Sequence, residues 1–382
     1  MVRLRFQGCG SLIPEAGPLN PDQLYSRAAP HNTPRARPIV MTKHPDPIPC
    51  TLIRGDGIGP EIVEAVLAIL DAMQSPFVWQ EQIAGLAAIE RTGDPLPAAT
   101  LENMRDTKLA LKGPLTTPVS SGFRSVNVRI REELKLFANV RPGRSLIPDG
   151  KFTDVDVVLI RENTGGFYVG VEHFIPIGDD PHAVAEASGF LTRENCLRIA
   201  YFAFEYALSN NRRKVTVVHK ANILKKLTGL FLETVTNVSK KYAGRVELEE
   251  CIVDNCAMQL IINPAQFDII LTTNMFGDIL SDEIAGLVGG LGLAPSANIG
   301  TNAAMFEAVH GSASDIAGRN IANPTSLLLA AAMMLDHCQL HAMGNQLRGA
   351  ITKMLETPAT RTRDLGGQLS TTDFTSALID KL

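Results

Sequence analysis

Short aliphatic runs alternating with amphipathic helical segments predict an α/β fold built on a largely parallel sheet. Three observations carry this expectation. Residues 109–111, 155–160, 215–218 and 268–271 are mostly aliphatic runs of a length suited to buried parallel strands. Between such runs lie helical patterns, for instance Ile62, Val63, Val66, Leu67, Ile69 and Leu70 on one apolar face. A chain of 382 residues can also bury a large core and commonly makes more than one domain.

Composition narrows the class. A hydrophobic fraction of 45%, 20% charged residues, a net charge of −4 and a pI near 6.1 describe an ordinary globular protein, with no basic field for nucleic acid. No apolar run reaches membrane-spanning length, and residues 327–335 read as a buried helix. The six cysteines, Cys9, Cys50, Cys196, Cys251, Cys256 and Cys338, lack metal-finger spacing, so reduced thiols in a cytoplasmic-type compartment are expected.

Taken in order, residues 1–40 differ from the rest, with five arginines, two acids and six prolines. The prolines oppose the amphipathic helix of a mitochondrial transit peptide, so a disordered extension ahead of a start at Met41 is expected, with the matrix as the alternative placement. A strand at 49–53 runs into Gly55-Asp56-Gly57-Ile58-Gly59-Pro60-Glu61 and a helix. This turn lacks the third glycine of the dinucleotide fingerprint at its spacing, so a Rossmann site is not expected.

The strand at 109–111 feeds the stretch around which the chain is organised, from Lys112 to Arg141. Ser125 is placed to cap a helix through its hydroxyl. Asn127 and Arg131 follow on one helix face, with Arg129 on roughly the opposite side. Arg141 lies in a second segment expected to end at Pro142, and Arg161 closes the next apolar run. Several guanidinium forks together suit a substrate with several carboxylates. Tyr168 and Lys220 each follow an apolar strand, the end at which α/β enzymes place their sites. Asp278 and Asp282, four apart on one helix face, repel each other unless a positive group lies between them, and their oxygens suit Mg²⁺ or Mn²⁺. Residues 169–193 lack a core pattern, a helix is expected at 195–208, and Gly289-Gly290-Leu291-Gly292 reads as a crossing between domains.

Ser125-Val-Asn127, Arg131 and Ala-Asn-Val-Arg141-Pro resemble the substrate segment of the β-decarboxylating dehydrogenases, in the isocitrate dehydrogenase branch. The resemblance runs from about residue 51 to the C-terminus. It implies two α/β domains sharing one continuous sheet, 41–136 with 289–382 and 137–288, with residues 169–193 as an arm clasping a second subunit.

The same resemblance implies that Ser125, Asn127, Arg131, Arg141 and Arg161 bind isocitrate, and that Tyr168 and Lys220 handle protons. It makes Asp254, Asp278 and Asp282 the metal ligands. Lys112, Thr116 and Thr117 would lie near nicotinamide and substrate. His310, Gly311, Ser312, Ala313, Asp315, Ile316 and Asn323 would form the adenosine pocket. A carboxylate at Asp315 favours NAD over NADP, whose 2′-phosphate it would repel. The implied reaction is metal-dependent oxidative decarboxylation of isocitrate to 2-oxoglutarate in the tricarboxylic acid cycle. It would run in a homodimer, or higher oligomer, with Lys220 and Asp254 reaching across.

Gly165-Gly166 departs from the isocitrate pattern, which carries an acid there, and is similar to isopropylmalate dehydrogenases. Isopropylmalate or homoisocitrate dehydrogenase is therefore the near alternative, and a non-catalytic regulatory subunit the alternative of another class.

Overall fold

The computed structural model describes residues 46–117 and 125–382, so the expected N-terminal extension lies outside the described residues. Ten strands form one sheet. From edge to edge they are β2 (Phe77–Gln82), β1 (Ile48–Ile53), β3 (Leu109–Lys112), β12 (Ala304–Ala308), β11 (Pro295–Ile299), β4 (Ala138–Arg144), β5 (Asp156–Glu162), β10 (Ile269–Thr272), β8 (Lys214–His219) and β9 (Glu247–Ile252). The two wings pair in parallel, as the aliphatic runs predict. Through the middle, β12–β11, β11–β4 and β4–β5 are antiparallel.

Helices cover the sheet. Pro60 opens α1 (Gly59–Ala72), where its missing N–H has no intrahelical partner to lose. Two short helices follow, α2 (Leu86–Thr92) and α3 (Ala98–Thr107), and then α4 (Val126–Glu133). Thr192 caps α5 (Arg193–Ser209) by accepting from the Asn195 amide. Next come α6 (Leu227–Ser239), α7 (Val253–Ile262) and α8 (Asn274–Val288), the last ended by Gly289 in the left-handed region. Last are α9 (Thr325–His337), α10 (His341–Leu355) and α11 (Thr371–Ile379). Helix α9 is buried on most sides, because Leu327, Leu328, Ala331, Met334 and Leu335 all lie in the core.

Two details depart from the sequence reading. Strand β4 runs through Pro142 instead of ending there. Strand β11 pairs only with Ala138 to Val140, so Pro142 sits where that side of β4 no longer needs a donor. Ser125 stands at the N-cap position of α4, but its hydroxyl makes no capping bond and lies 3.4 Å from the Thr117 hydroxyl. Residues with no core pattern form a separate two-stranded sheet, β6 (Gly166–Ile177) and β7 (Asp180–Phe190). Phe174, Ile177 and Phe190 on it are exposed, and a lone hairpin of this kind is marginal without a partner surface.

Candidate active site

One sheet face places the site. Lys112 is the register partner of Glu307, Glu307 of Ser296, Asn298 of Asn139, and Asn139 of Arg161. Register partners share a face, as do residues two apart along a strand, so Lys112, Glu307, Ser296, Asn298, Asn139, Arg141 and Arg161 all project to one side. The apolar alternates, such as Val140 and Ile160, face the core on the other side.

Above this face lies a cavity of about 250 Å³ lined by Lys112, Ser125, Asn127, Arg131, Arg141, Arg161, Tyr168, Asp278, Glu307, His310 and Gly311, among others. Asn127 and Arg131 do share the inward face of α4, while Arg129 turns away to pair with Asp94 at 3.2 Å. Arg161 donates through Nε and Nη2 to Asn274 Oδ1 and pairs through Nη1 with Asp278. Its stem passes over Gly277, where a Cβ would lie 2.7 Å from the Arg161 side chain, so α8 needs glycine there. Arg141 donates to Asn139 and Ser281, and lies 3.4 Å from Asp278 and 3.6 Å from Asp282.

Burial sets the electrostatics. It pushes the Arg161 pKa down to about 10 and also lowers Arg141, each helped by the other cations. Burial works against the Asp278 carboxylate, but Arg161 and Arg141 outweigh it and hold its pKa below the ordinary range. Asp282 is raised, because burial there exceeds the help from Arg141. Tyr168 donates to Asp278 Oδ2 at 2.5 Å, and burial together with that bond raises its pKa, so the phenol keeps its proton at neutral pH. His310 Nδ1 faces the Gly311 carbonyl at 3.0 Å and so carries the proton, leaving Nε2 as a buried acceptor.

Glu307 is the residue that sequence reasoning missed. It takes Lys112 at 2.8 Å and Arg131 at 3.1 Å, both buried. Burial opposes its charge, yet these two cations bring its pKa down to about 2. An acid inside the apolar strand run Ala-Met-Phe-Glu-Ala was the available signal.

The glycine turn before α1 is a latch beside the cavity. Asp56 accepts from the amides of Leu86 and Thr116, and Ile58 N–H donates to the Ser312 carbonyl. A Cβ on Gly57 would sit 2.0 Å from that carbonyl. Thr116 in turn donates to Ser312 Oγ at 2.8 Å. Asp315 is exposed on the following turn, next to half-buried Ile316, and Ala313 adopts a positive φ of 39°. Asn323 does not present its amide to a ligand: Oδ1 accepts from Thr325 N–H and Nδ2 donates to Asp364.

Lys220 and Asp254 stand apart from the cavity and pair with each other at the end of β8 and the start of α7. No group of three acidic, histidine or cysteine side chains is gathered in a metal-holding arrangement among the described residues, so Asp254 does not join Asp278 and Asp282 within one chain.

A sheet with these buried cations at its centre has relatives. The sequence pattern of the isocitrate/isopropylmalate dehydrogenase family matches residues 49–380. The chain is 47% identical, over 88% of its length and 89% of the relative's, to the mitochondrial isocitrate dehydrogenase [NAD] catalytic subunit 5 of Arabidopsis thaliana. It is 47% identical, over 81% of its length and 85% of the relative's, to the chloroplastic 3-isopropylmalate dehydrogenase of Solanum tuberosum. The crystal structure of isocitrate dehydrogenase from Methylococcus capsulatus superposes with a TM-score of 0.85 at 48% identity, covering 87% of this chain and 98% of that one. The chain belongs to the isocitrate/isopropylmalate dehydrogenase family.

Proposed function

We propose that this protein is an NAD-dependent isocitrate dehydrogenase, converting isocitrate to 2-oxoglutarate and CO₂. The observation that carries the reading is the cavity itself. Four cations, Lys112, Arg131, Arg141 and Arg161, line it against two carboxylates, Asp278 and Glu307, leaving a surplus of two positive charges for a polyanion. Ser125 adds a hydroxyl and Asn127 an amide, and the Ser125 O–H and Asn127 Nδ2–H can both donate to an anion. Polar groups there suit a third carboxylate better than an alkyl group.

Asp278 and Asp282 both approach Arg141, so their carboxylates converge, and hard oxygen donors in small number fit Mg²⁺ or Mn²⁺. Asp254 from a second copy would complete the set. A divalent ion there would supply Lewis-acid stabilisation, and NAD along the 310–323 segment would supply the hydride acceptor. The chain's own residues do the rest. Arg131, Arg141 and Arg161 orient the substrate carboxylates. Lys220 Nζ of the second copy, released from Asp254 and in its neutral amine form, takes the hydroxyl proton, and Tyr168 Oη gives a proton to the carbon that has lost CO₂.

Exposed apolar residues suit an interface. Met258, Ile261 and Ile262 on α7, a few residues after Asp254, and Ile279 on α8 are exposed. We propose a homodimer through this surface and the β6–β7 arm. Domain boundaries are proposed near residues 136/137 and 288/289. The mitochondrial name of the Arabidopsis relative favours the matrix over the cytoplasm, and fractionation of cells carrying the tagged full chain tests that.

Two observations favour a second reading: Gly165-Gly166 and the identity to the Solanum tuberosum enzyme point to isopropylmalate. Assaying the protein alone with NAD, Mg²⁺ and either isocitrate or isopropylmalate decides. Turnover of isocitrate supports the first reading, turnover of isopropylmalate the second, and none without another subunit would mark a non-catalytic chain.

A further inference from the structure

We propose that Asn298, in β11, is the positioning residue that holds three of the cavity's cations, Lys112, Arg131 and Arg141, in fixed relation to one another. This rests on the reading of Arg131 and Arg141 as carboxylate-binding groups. Asn298 is fully buried, does not line the cavity and has both ends of its amide engaged. Nδ2 donates to Glu307 Oε1 at 2.7 Å. Oδ1 accepts from Asn139 Nδ2 at 2.7 Å and from Asn163 Nδ2 at 3.1 Å. Two donors converge on one end and a carboxylate meets the other, so the amide orientation is determined by its partners.

Each partner passes the constraint outward. Glu307 holds Lys112 and Arg131. Asn139 Oδ1 accepts from Arg141 Nε at 2.7 Å. One amide therefore links a cation pair delivered by β3 and α4 to a guanidinium delivered by β4. Arg131 Nε and Asn163 Oδ1 in this network are buried without a partner among the described residues, whereas both amide atoms of Asn298 are bonded, so the constraint runs through Asn298, and a misplaced substrate is costly in rate. No neighbouring side chain can substitute fully. Ser296 Oγ gives Asn139 a second acceptor at 2.8 Å, but Asn298 is the only amide hydrogen-bonded to Glu307 among the described residues.

Two variants of the full chain separate positioning from simple support. Asn298→Asp keeps an acceptor for Asn139 and Asn163 but turns the group facing Glu307 into a second carboxylate, so it disturbs the Lys112–Arg131 end. Asn298→Ala loosens both ends, and if it fails to fold, the Asp variant carries the test. Both should raise KM for isocitrate by about tenfold or more and by clearly more than KM for NAD, because of the network's members only Lys112 is placed near the nicotinamide and the adenosine segment lies outside it. A supporting role alone would lower the folded fraction and hence Vmax, with both KM values unmoved. Unchanged KM for isocitrate in folded Asn298→Asp, or a rise matched by KM for NAD, overturns the proposal. Absence of isocitrate binding by the wild type would instead sink the substrate reading. The crystal structure of Asn298→Asp then decides separately, since Arg131 left in its wild-type position overturns the positioning role.

Discussion

Lys220 is ion-paired with Asp254 in its own chain, and neither residue lines the cavity where Tyr168 donates to Asp278. Lys220 follows β8 and Asp254 opens α7, whereas Tyr168 lies on the β6–β7 hairpin and Asp278 a turn inside α8, so within one chain the two pairs form separate clusters. Two-fold assembly through the exposed faces of α7 and α8 is the arrangement that would join them.

The first prediction tests that joining. Lys220→Met and Asp278→Asn should each abolish turnover in homodimers. Mixing the two inactive proteins under conditions of subunit exchange should restore activity, because one heterodimer site then carries neither lesion. Exchange verified by mass spectrometry without recovered activity would place Lys220 and Asp278 in one chain's site.

Asp315, exposed, and Ile316, half-buried, lie on the turn after the Ser312 latch and are the residues proposed to set cofactor choice. Asp315→Lys with Ile316→Tyr should move the NAD/NADP ratio of kcat/KM towards NADP by about tenfold or more, as repulsion of the 2′-phosphate becomes attraction. An unchanged ratio would show that another segment reads the 2′ position.

Ser125 and Asn127, which line the cavity, are the residues proposed to set substrate choice. Ser125→Glu sets a negative charge against a negative substrate, and kcat/KM for isocitrate should fall by at least about a hundredfold. Thermal stability should stay near the wild-type value, since the Ser125 hydroxyl makes no capping bond to α4. Wild-type isocitrate kinetics in this variant would remove Ser125 from the site.

Glu307 sets a pH signature. Its folded pKa is depressed from 4.5 to about 2, so its contribution is fully present above the unfolded value and is lost as pH falls through the folded one. That shift corresponds to roughly 3 kcal/mol. Glu307→Gln leaves Lys112 and Arg131 buried without their anion, so it should be less stable than wild type at pH 6. The gap in urea midpoint should narrow between about pH 4.5 and 2, where the wild type loses the same charge. A gap independent of pH would mean that Glu307 is not ionised in the fold.

The sequence by itself determined the parts whose signal is local. Aliphatic runs at 155–160 and 268–271 have the length and branching of buried strands, and β5 and β10 stand there. The four-residue spacing of Asn127 and Arg131 put both on one helix face, and both line the cavity. The lack of a core pattern at 169–193 marked a segment with no packed face of its own, which became the β6–β7 hairpin. Only the tertiary structure decided the rest, because it depends on pairings between strands far apart in the chain. Antiparallel register across β11 and β4 brings Asn298 opposite Asn139, and parallel register brings Glu307 opposite Lys112. No residue spacing encodes these partnerships. They also explain how Glu307 and Asn298 can stay buried: each finds its partners on a neighbouring strand, which offsets a desolvation cost that an isolated polar residue could not bear.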